Sequence, residues 1–179
     1  HWAKPDCKEI VQLKKLERLA LRQGSLACLD GLDNCSSLKN LELAYLPKLT
    51  DIDHLNELQW LEKIRIESCT KIANLMSLTH IRSLRDLHVE KVNAPFLDLK
   101  GLAKMPQLER ICLSAEISVI DWDILFNHPT LSEVTISSHD GYNIADSEIF
   151  KIAESASRKV KGFQRIGTKR SPSFVFNLI

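Results

Sequence analysis

The sequence predicts an α/β solenoid, in which a curved parallel sheet forms the concave side, short helical turns form the convex side, and an α+β segment caps the C-terminal end. Three observations predict it. The pattern apolar-x-x-apolar-x-apolar occurs six times, its copies lie 22 to 24 residues apart, and apolar residues recur at every third position between copies. A fixed period of this length is typical of solenoids, whose repeats bury their apolar faces only by stacking on one another.

The six copies predict six short strands, because their last apolar residues alternate with polar ones. The first copy reads Leu16, Leu19, Leu21, and the fourth reads Leu84, Leu87, Val89. The copies begin at Leu16, Leu38, Leu61, Leu84, Leu108 and Leu131, with gaps of 22, 23, 23, 24 and 23 residues.

The second half of each repeat predicts a tight helical turn. In the second repeat, Leu49, Ile52, Leu55 and Leu58 follow one another at intervals of three. That spacing lines one face of a helix with three residues per turn. A strand and a short turn that restart at this period require parallel strands lying side by side.

This combination resembles the leucine-rich repeat, in the short variety of roughly 22 residues seen in internalins and protein-phosphatase regulatory subunits. The resemblance covers residues 16–138. It implies the solenoid fold and, for function, a protein-recognition scaffold. One departure is clear, because the asparagine that ties successive turns together in the family is replaced here by Gly24, Leu46, Cys69, Val92 and Glu116.

The chain divides into a repeat array, residues 1–138, and a C-terminal capping segment, residues 139–179. Cys7, Ile10, Leu13 and Leu16 extend the every-third pattern backwards, so residues 1–15 are predicted to be a half-repeat that acts as an N-terminal cap. Trp2 is expected to cover the open end of the core.

The capping segment is predicted to hold one helix and two strands. Residues 145–160 show helical spacing, with Asp146 or Ser147 as the expected N-cap. Residues 163–168 and 174–178 alternate well enough to be strands on either side of a Lys-Arg-Ser-Pro turn. Terminal repeats of a solenoid must be closed off in this way.

Composition indicates an ordinary globular chain without strong attraction for nucleic acid or membranes. Of 179 residues 44% are apolar and 26% charged, and the net charge is +1. No apolar run approaches the roughly 20 residues that span a bilayer. The five cysteines are odd in number and contain no CxxC pair, which favours a reducing, cytoplasmic compartment.

The sequence predicts that the protein is not an enzyme and that it needs no cofactor or metal. It contains no GxGxxG, Walker, HExxH or GxSxG motif, and its six histidines show no ligand spacing along the chain. His54, His80 and His128 lie in or beside the predicted turns and are expected to be solvated or half-buried.

The concave face is the predicted site, and a protein is the predicted partner. Strand residues that alternate with the buried leucines should point into it. Cross-strand neutralisation among these charges is the competing interpretation. Glu67 and Glu90 should be lateral neighbours of like charge, and either receive a Lys or Arg of the partner or remain two solvated carboxylates. The predicted partner-binding residues are Arg18, Arg22, Glu42, Tyr45, Lys63, Arg65, Glu67, Asp86, His88, Glu90 and Arg110.

A basic C-terminal patch gives an alternative of another class, contact with phosphate or nucleic acid. No acidic residue follows Glu154. The competing interpretation is a solvated cap with basic residues at a helix C-terminus, and nucleic acid is not the expected partner. The patch comprises Arg158, Lys159, Lys161, Arg165, Lys169 and Arg170.

These observations predict a non-catalytic protein–protein recognition module, acting as an inhibitor, an immunity protein or an adaptor. Because the chain starts in mid-repeat, a ligand-sensing fragment of a larger effector or immune receptor is the alternative. The stretch from Ile66 to Ile72 also resembles the sensing domains of plant immune receptors.

Overall fold

Eight strands form one continuous sheet in the order β1-β2-β3-β4-β5-β6-β8-β7. The computed structural model describes residues 2–93, 99–114, 122–137, 145–156, 159–167 and 172–179. The strands are β1 Arg18–Arg22, β2 Asn40–Ala44, β3 Lys63–Glu67, β4 Asp86–Glu90, β5 Arg110–Leu113, β6 Glu133–Ser137, β7 Val160–Gly167 and β8 Pro172–Leu178.

Strands β1 to β6 are parallel and pair in equivalent register, so each repeat position meets the same position of the next repeat. Arg65, for example, is paired with Glu42 on one side and with His88 on the other. The six predicted strands and their parallel order are therefore confirmed, as is the solenoid.

The convex side consists of tight turns. Apolar residues spaced three apart all face inward in a helix with three residues per turn. Leu55 and Leu78, at the centres of two of these turns, are fully buried. The later repeats use short α-helices instead. The 3₁₀ turns are Lys8–Ile10, Leu32–Asn34, Asp53–Glu57 and Met76–His80, and the helices are α1 Leu99–Leu102 and α2 Trp122–Phe126.

Each of the first four strands is followed by a residue with left-handed backbone, and none of these residues is glycine. Gln23, Tyr45, Ser68 and Lys91 have φ between 52° and 55°. The amides of the first three continue the ladder by donating to the neighbouring strand, as Tyr45 N does to Glu67 O at 2.9 Å. This hydrogen bond offsets part of the cost that a side chain incurs at positive φ.

Buried apolar side chains occupy two of the positions of the missing asparagines. Leu46 and Cys69 are fully buried. The Cys69 thiol lies 3.6 Å from Leu43 O and 3.5 Å from Glu67 O, so it supplies one weak donor where an asparagine amide would supply two. Backbone bonds between repeats, such as Glu62 N to Lys39 O at 2.8 Å, hold the loops together.

The N-terminal end is closed by Trp2, as predicted. Trp2 forms a parallel bridge with Gly24, where Ser25 N donates to Trp2 O at 2.9 Å. The half-repeat is less regular than predicted. Cys7 and Ile10 are buried, but Leu13 is 49% exposed because the 3₁₀ turn ends at Ile10.

The C-terminal segment contains the predicted helix and two strands, with three corrections. Helix α3 runs over Asp146–Ser155, and its N-cap is Ala145 rather than Asp146 or Ser147. Pro172 begins β8 instead of belonging to the turn. Strand β8 inserts antiparallel between β6 and β7, an order that the sequence does not indicate. The predicted boundary at residues 138 and 139 lies outside the described residues.

An aromatic cluster fixes the cap to the array. Phe174 and Phe176 of β8 are fully buried because alternate residues of this strand face the core. The Phe176 ring lies 5.4 Å from Trp122 and 5.5 Å from Phe126 of helix α2, and 5.1 Å from Phe163 of β7. Tilted pairs at these separations stabilise beyond their buried area.

All five cysteines are free thiols, and Cys7, Cys35 and Cys69 are buried. Within the described residues, none of the helices has the length and apolar character that crossing a bilayer would require.

Candidate functional site on the concave face

A shallow groove of about 500 Å³ crosses the N-terminal ends of strands β1 to β4 on the concave side. Small and polar side chains line much of it. The small side chain of Ala20 on β1 is exposed at the bottom of the groove. Six of the predicted site residues meet there, and Arg18 is among them. The polar and small groove residues are Arg18, Ala20, Asn40, Glu42, Lys63, Arg65, Asp86 and His88.

Arg22 and Glu42 form a two-pronged ion pair across strands β1 and β2. Arg22 Nε and Nη2 each donate to one Glu42 carboxylate oxygen at 2.7 Å. The pair is diagonal, because Arg22 is in register with Ala44 and Glu42 with Ala20. Glu42 therefore binds Arg22 on β1 rather than Arg65, its direct neighbour on β3.

Asp86 and Arg110 form the second cross-strand pair. Arg110 Nη2 donates to Asp86 Oδ2 at 2.9 Å, and Arg110 Nε donates to the same oxygen at 3.2 Å. These two residues are in direct register on β4 and β5. Opposite charges on neighbouring strands thus neutralise each other here, at the β4 edge of the groove.

Glu67 is held from two sides, by Arg65 on its own strand and by Tyr45. Arg65 Nη2 donates to Glu67 Oε2 at 2.8 Å, and Tyr45 Oη donates to Glu67 Oε1 at 2.9 Å. Partial burial works to raise the pKa of Glu67, but these hydrogen bonds outweigh it and lower the pKa. The Glu67 side chain is only 16% exposed, so it is not a freely solvated carboxylate.

Glu90 also has a cation on its own strand, His88, but this contact is an ion pair without hydrogen-bonding geometry. His88 Nε2 lies 2.9 Å from Glu90 Oε2. Burial disfavours the charged imidazole, yet contacts with Cys112 and Glu90 outweigh it and raise the pKa of His88 to about 9. The contact with His88 lowers the pKa of Glu90 to about 2. The like charges of Glu67 and Glu90 are thus each compensated along the strand.

Arg18 and Lys63 are the groove cations without a carboxylate partner among the described residues. With the Asn40 amide turned so that its oxygen faces β1, Arg18 Nε donates to it at 3.2 Å, which leaves the arginine charge uncompensated. Lys63 is exposed at the start of β3. Uncompensated charge in the groove is therefore positive and lies near the strand starts.

His128 corrects one prediction, because it is buried rather than solvated or half-buried. It is 7% exposed. The Thr130 amide donates to its Nδ1 at 3.3 Å, so Nε2 carries the proton and donates to Leu102 O at 3.0 Å. Burial lowers the pKa of His128, and the side chain serves as a neutral bridge between two turns.

Half of the basic C-terminal patch can be placed. Lys159 precedes β7, Lys161 and Arg165 lie on it, and all three are exposed. Arg158, Lys169 and Arg170 lie outside the described residues, so the patch remains a prediction.

Cys112 is a site residue that the sequence interpretation missed. Its thiol lies 3.9 Å from Glu90 Oε1, and it is in register with His88. No ligand spacing exists along the chain, but the sheet brings these side chains together. The interval from His88 to Cys112 is 24 residues, the length of that repeat, and this equality was the signal that could have found the pair.

Neither a protein-family model nor a curated protein sequence matches the chain. Among solved structures, it is similar to the crystal structure of an internalin from Listeria monocytogenes, with 20% identity and a TM-score of 0.57. The match covers 70% of this chain and 36% of that one, so this chain spans about a third of the internalin's length. The internalin shares the curved parallel sheet with short convex turns.

Proposed function

Because the fold is that of a leucine-rich repeat solenoid, we propose that the protein is a non-catalytic module that binds a partner protein through its concave face. The observation that carries this proposal is the groove, in which Arg18 and Lys63 keep charges that no described carboxylate compensates. Folded proteins commonly leave such charges in solvent. Two uncompensated positive charges in one accessible groove, however, complement an acidic surface of a partner.

The area of the face supports the same proposal. Six parallel strands about 4.8 Å apart give a width of roughly 25 Å. Strands of five residues add roughly 16 Å of length at about 3.3 Å per residue. The strands alone thus span roughly 400 Å², about half of the roughly 800 Å² per partner of a standard interface, and the flanking loops would supply the rest.

The partner is expected to place Asp or Glu side chains over Arg18 and Lys63. The far ends of strands β3 and β4 offer less, since the carboxylates of Glu67 and Glu90 already have cations beside them. This reverses the expectation that an acidic pair receives a partner's Lys or Arg. The exposed phenol of Tyr45 remains a candidate rim contact.

Within this proposal the protein acts as an inhibitor, immunity protein or adaptor in the cytoplasm, and its five free thiols favour a reducing compartment. The alternative is that it senses a ligand as part of a larger effector or immune receptor. Both assign the same face to recognition and neither requires catalysis.

Charge reversal tests the proposal. The chain is immobilised, and proteins captured from native lysate are compared between wild type and a variant carrying Arg18→Glu and Lys63→Glu. We expect the variant to retain a specific partner at least about tenfold less well, or ~1.4 kcal/mol. Retention by the variant at the level of wild type would refute the concave site.

The matched control carries Lys48→Glu and Lys104→Glu. Both lysines are exposed, neither lines the groove, and the change in net charge is the same. This control should capture the partner like wild type, and equal loss in both variants would attribute capture to net charge alone.

A further inference from the structure

The geometry points to a zinc site on the concave face, formed by His88 Nε2, a carboxylate oxygen of Glu90 and Cys112 Sγ, with a fourth coordination position left for water or a ligand from the groove. The three ligand atoms lie within 4.8 Å of one another, and no other such group occurs in the described part of the chain. The inference does not rest on the proposed protein partner, although His88 also lines the groove.

The register of the sheet creates the convergence. His88 and Cys112 are directly opposite on β4 and β5, so their side chains leave the same face about 4.8 Å apart. Glu90 follows His88 by two residues and therefore shares that face. Backbone hydrogen bonds fix all three positions, which limits the entropy that an ion would have to overcome.

The distances suit a tetrahedral ion after small rotations of the side chains. His88 Nε2 lies 2.9 Å from Glu90 Oε2, and Cys112 Sγ lies 3.9 Å from Glu90 Oε1. Zinc bonds of about 2.0–2.3 Å separate tetrahedral ligand atoms by about 3.5 Å. The observed separations bracket that value.

Donor chemistry selects the metal. Thiolate, imidazole and carboxylate are the three ligand types that zinc uses, and three protein ligands leave one position open. Calcium and magnesium prefer oxygen-only sites. A thiolate and a carboxylate also match the charge of a divalent ion, while the adjacent carboxylate of Glu67 is occupied by Arg65 and Tyr45.

The environment of His88 Nε2 favours a ligand at this place. The atom is buried, and although Glu90 Oε2 is near, their alignment falls outside hydrogen-bonding geometry. A buried polar nitrogen without a hydrogen bond is unfavourable. Zinc would give it a bond, displacing the imidazolium proton and the Cys112 thiol proton into solvent.

The test is metal titration of the full chain after chelator treatment. Zinc binding is followed by calorimetry and cobalt binding by absorbance, where a thiolate ligand produces a charge-transfer band in the near ultraviolet. We expect one zinc per chain, a cobalt spectrum with that band, and no heat from magnesium or calcium.

Variants assign the ligands. Cys112→Ser and His88→Gln should each weaken zinc binding by more than about 10–100-fold, since even outer-shell partners contribute that much. Cys28→Ser is the matched control, because Cys28 is also half-buried and lies beside Asp30, whose carboxylate contacts His54. It should bind zinc like wild type.

The inference is overturned by any of three results. These are no one-to-one zinc binding by wild type, a cobalt complex without the thiolate band, or unchanged affinity in Cys112→Ser. If His88→Gln fails to fold by circular dichroism, Cys112→Ser decides the question, since serine nearly preserves the side-chain volume. Loss of binding in Cys28→Ser alone would likewise assign the metal elsewhere and refute this site.

Discussion

Tyr45 donates a hydrogen bond of 2.9 Å to Glu67, its neighbour one repeat further along the solenoid. Tyr45 is the left-handed residue that follows β2, and its amide donates to the backbone oxygen of the same Glu67 at 2.9 Å. Backbone and side chain of one residue thus hold the end of the next strand. The pairing explains why an exposed tyrosine occupies a strained position.

Replacing Glu67 by Gln should lower the pKa of Tyr45. The hydrogen bond to Glu67 is the main cause that raises this pKa, because the carboxylate stabilises the neutral phenol. The chain has two tyrosines, so phenolate absorbance of wild type minus that of Tyr45→Phe isolates Tyr45. The difference titration should move to lower pH in the Glu67→Gln background.

Replacing Arg22 by Gln is the comparison for that titration. It removes a nearby guanidinium without touching the hydrogen bond, and the Tyr45 titration should then not move downwards. A Tyr45 curve identical in wild type and Glu67→Gln would contradict the pairing.

Gly24→Ala should destabilise the protein by about 1–3 kcal/mol, the range for overpacking. A Cβ at this position would overlap Trp2 O and lie 2.9 Å from Trp2 C, so the N-terminal bridge would have to move. Denaturant unfolding monitored by tryptophan fluorescence measures the effect.

Gly162→Ala serves as its control, because a Cβ there would meet nothing closer than Asn177 Nδ2 at 3.5 Å. This variant should be neutral or slightly stabilising, since glycine weakens a strand. Equal stability of Gly24→Ala and wild type would show that Trp2 does not pack against the sheet edge.

The contribution of His128 to stability should fade in acid. Burial holds the pKa of His128 in the folded protein below the ordinary histidine value of about 6.5, so the unfolded chain binds the extra proton first. The contribution is therefore complete above about pH 6.5 and decreases as pH falls, by up to ~1.4 kcal/mol per pH unit. It stops decreasing below the folded-state pKa.

Unfolding free energies of wild type and His128→Gln, measured from pH 7.5 to 5, check this direction. The advantage of wild type should shrink as pH falls. An advantage that grows in acid would mean that the buried imidazole is charged in the folded state.

Thiol reagents should distinguish two classes of cysteine. Cys7, Cys35 and Cys69 are buried, and burial raises the pKa of Cys7 to about 12, which suppresses the reactive thiolate. Cys28 and Cys112 are half-buried. Native protein should therefore label quickly at two positions and denatured protein at five, as counted by mass spectrometry. Rapid labelling of Cys69 would contradict its packed position.

The repeat could be predicted from sequence because each strand and turn has its own apolar period. The outward residues of β3, Lys63, Arg65 and Glu67, follow directly from the buried Ile64 and Ile66. The constant interval then gives the lateral register, and with it the neighbours of every concave side chain.

Other features depend on tertiary contacts that periodicity does not encode. The position of β8 between β6 and β7 follows from the aromatic cluster around Phe176. The apolar pattern also does not indicate which of several carboxylates a given arginine binds. Arg65 has Glu42 directly beside it and yet binds Glu67. Strand ends at positive φ were missed because the residues there are not glycine.

Site-specific photo-crosslinking shows which face of the solenoid contacts the partner. A benzophenone amino acid replaces Ala20, which is exposed on the floor of the groove, or Ala103, which is exposed beyond helix α1 on the convex side. If the concave face binds the partner, the captured partner crosslinks at position 20 and not at position 103. Crosslinking at position 103 with none at position 20 would contradict recognition through the concave face.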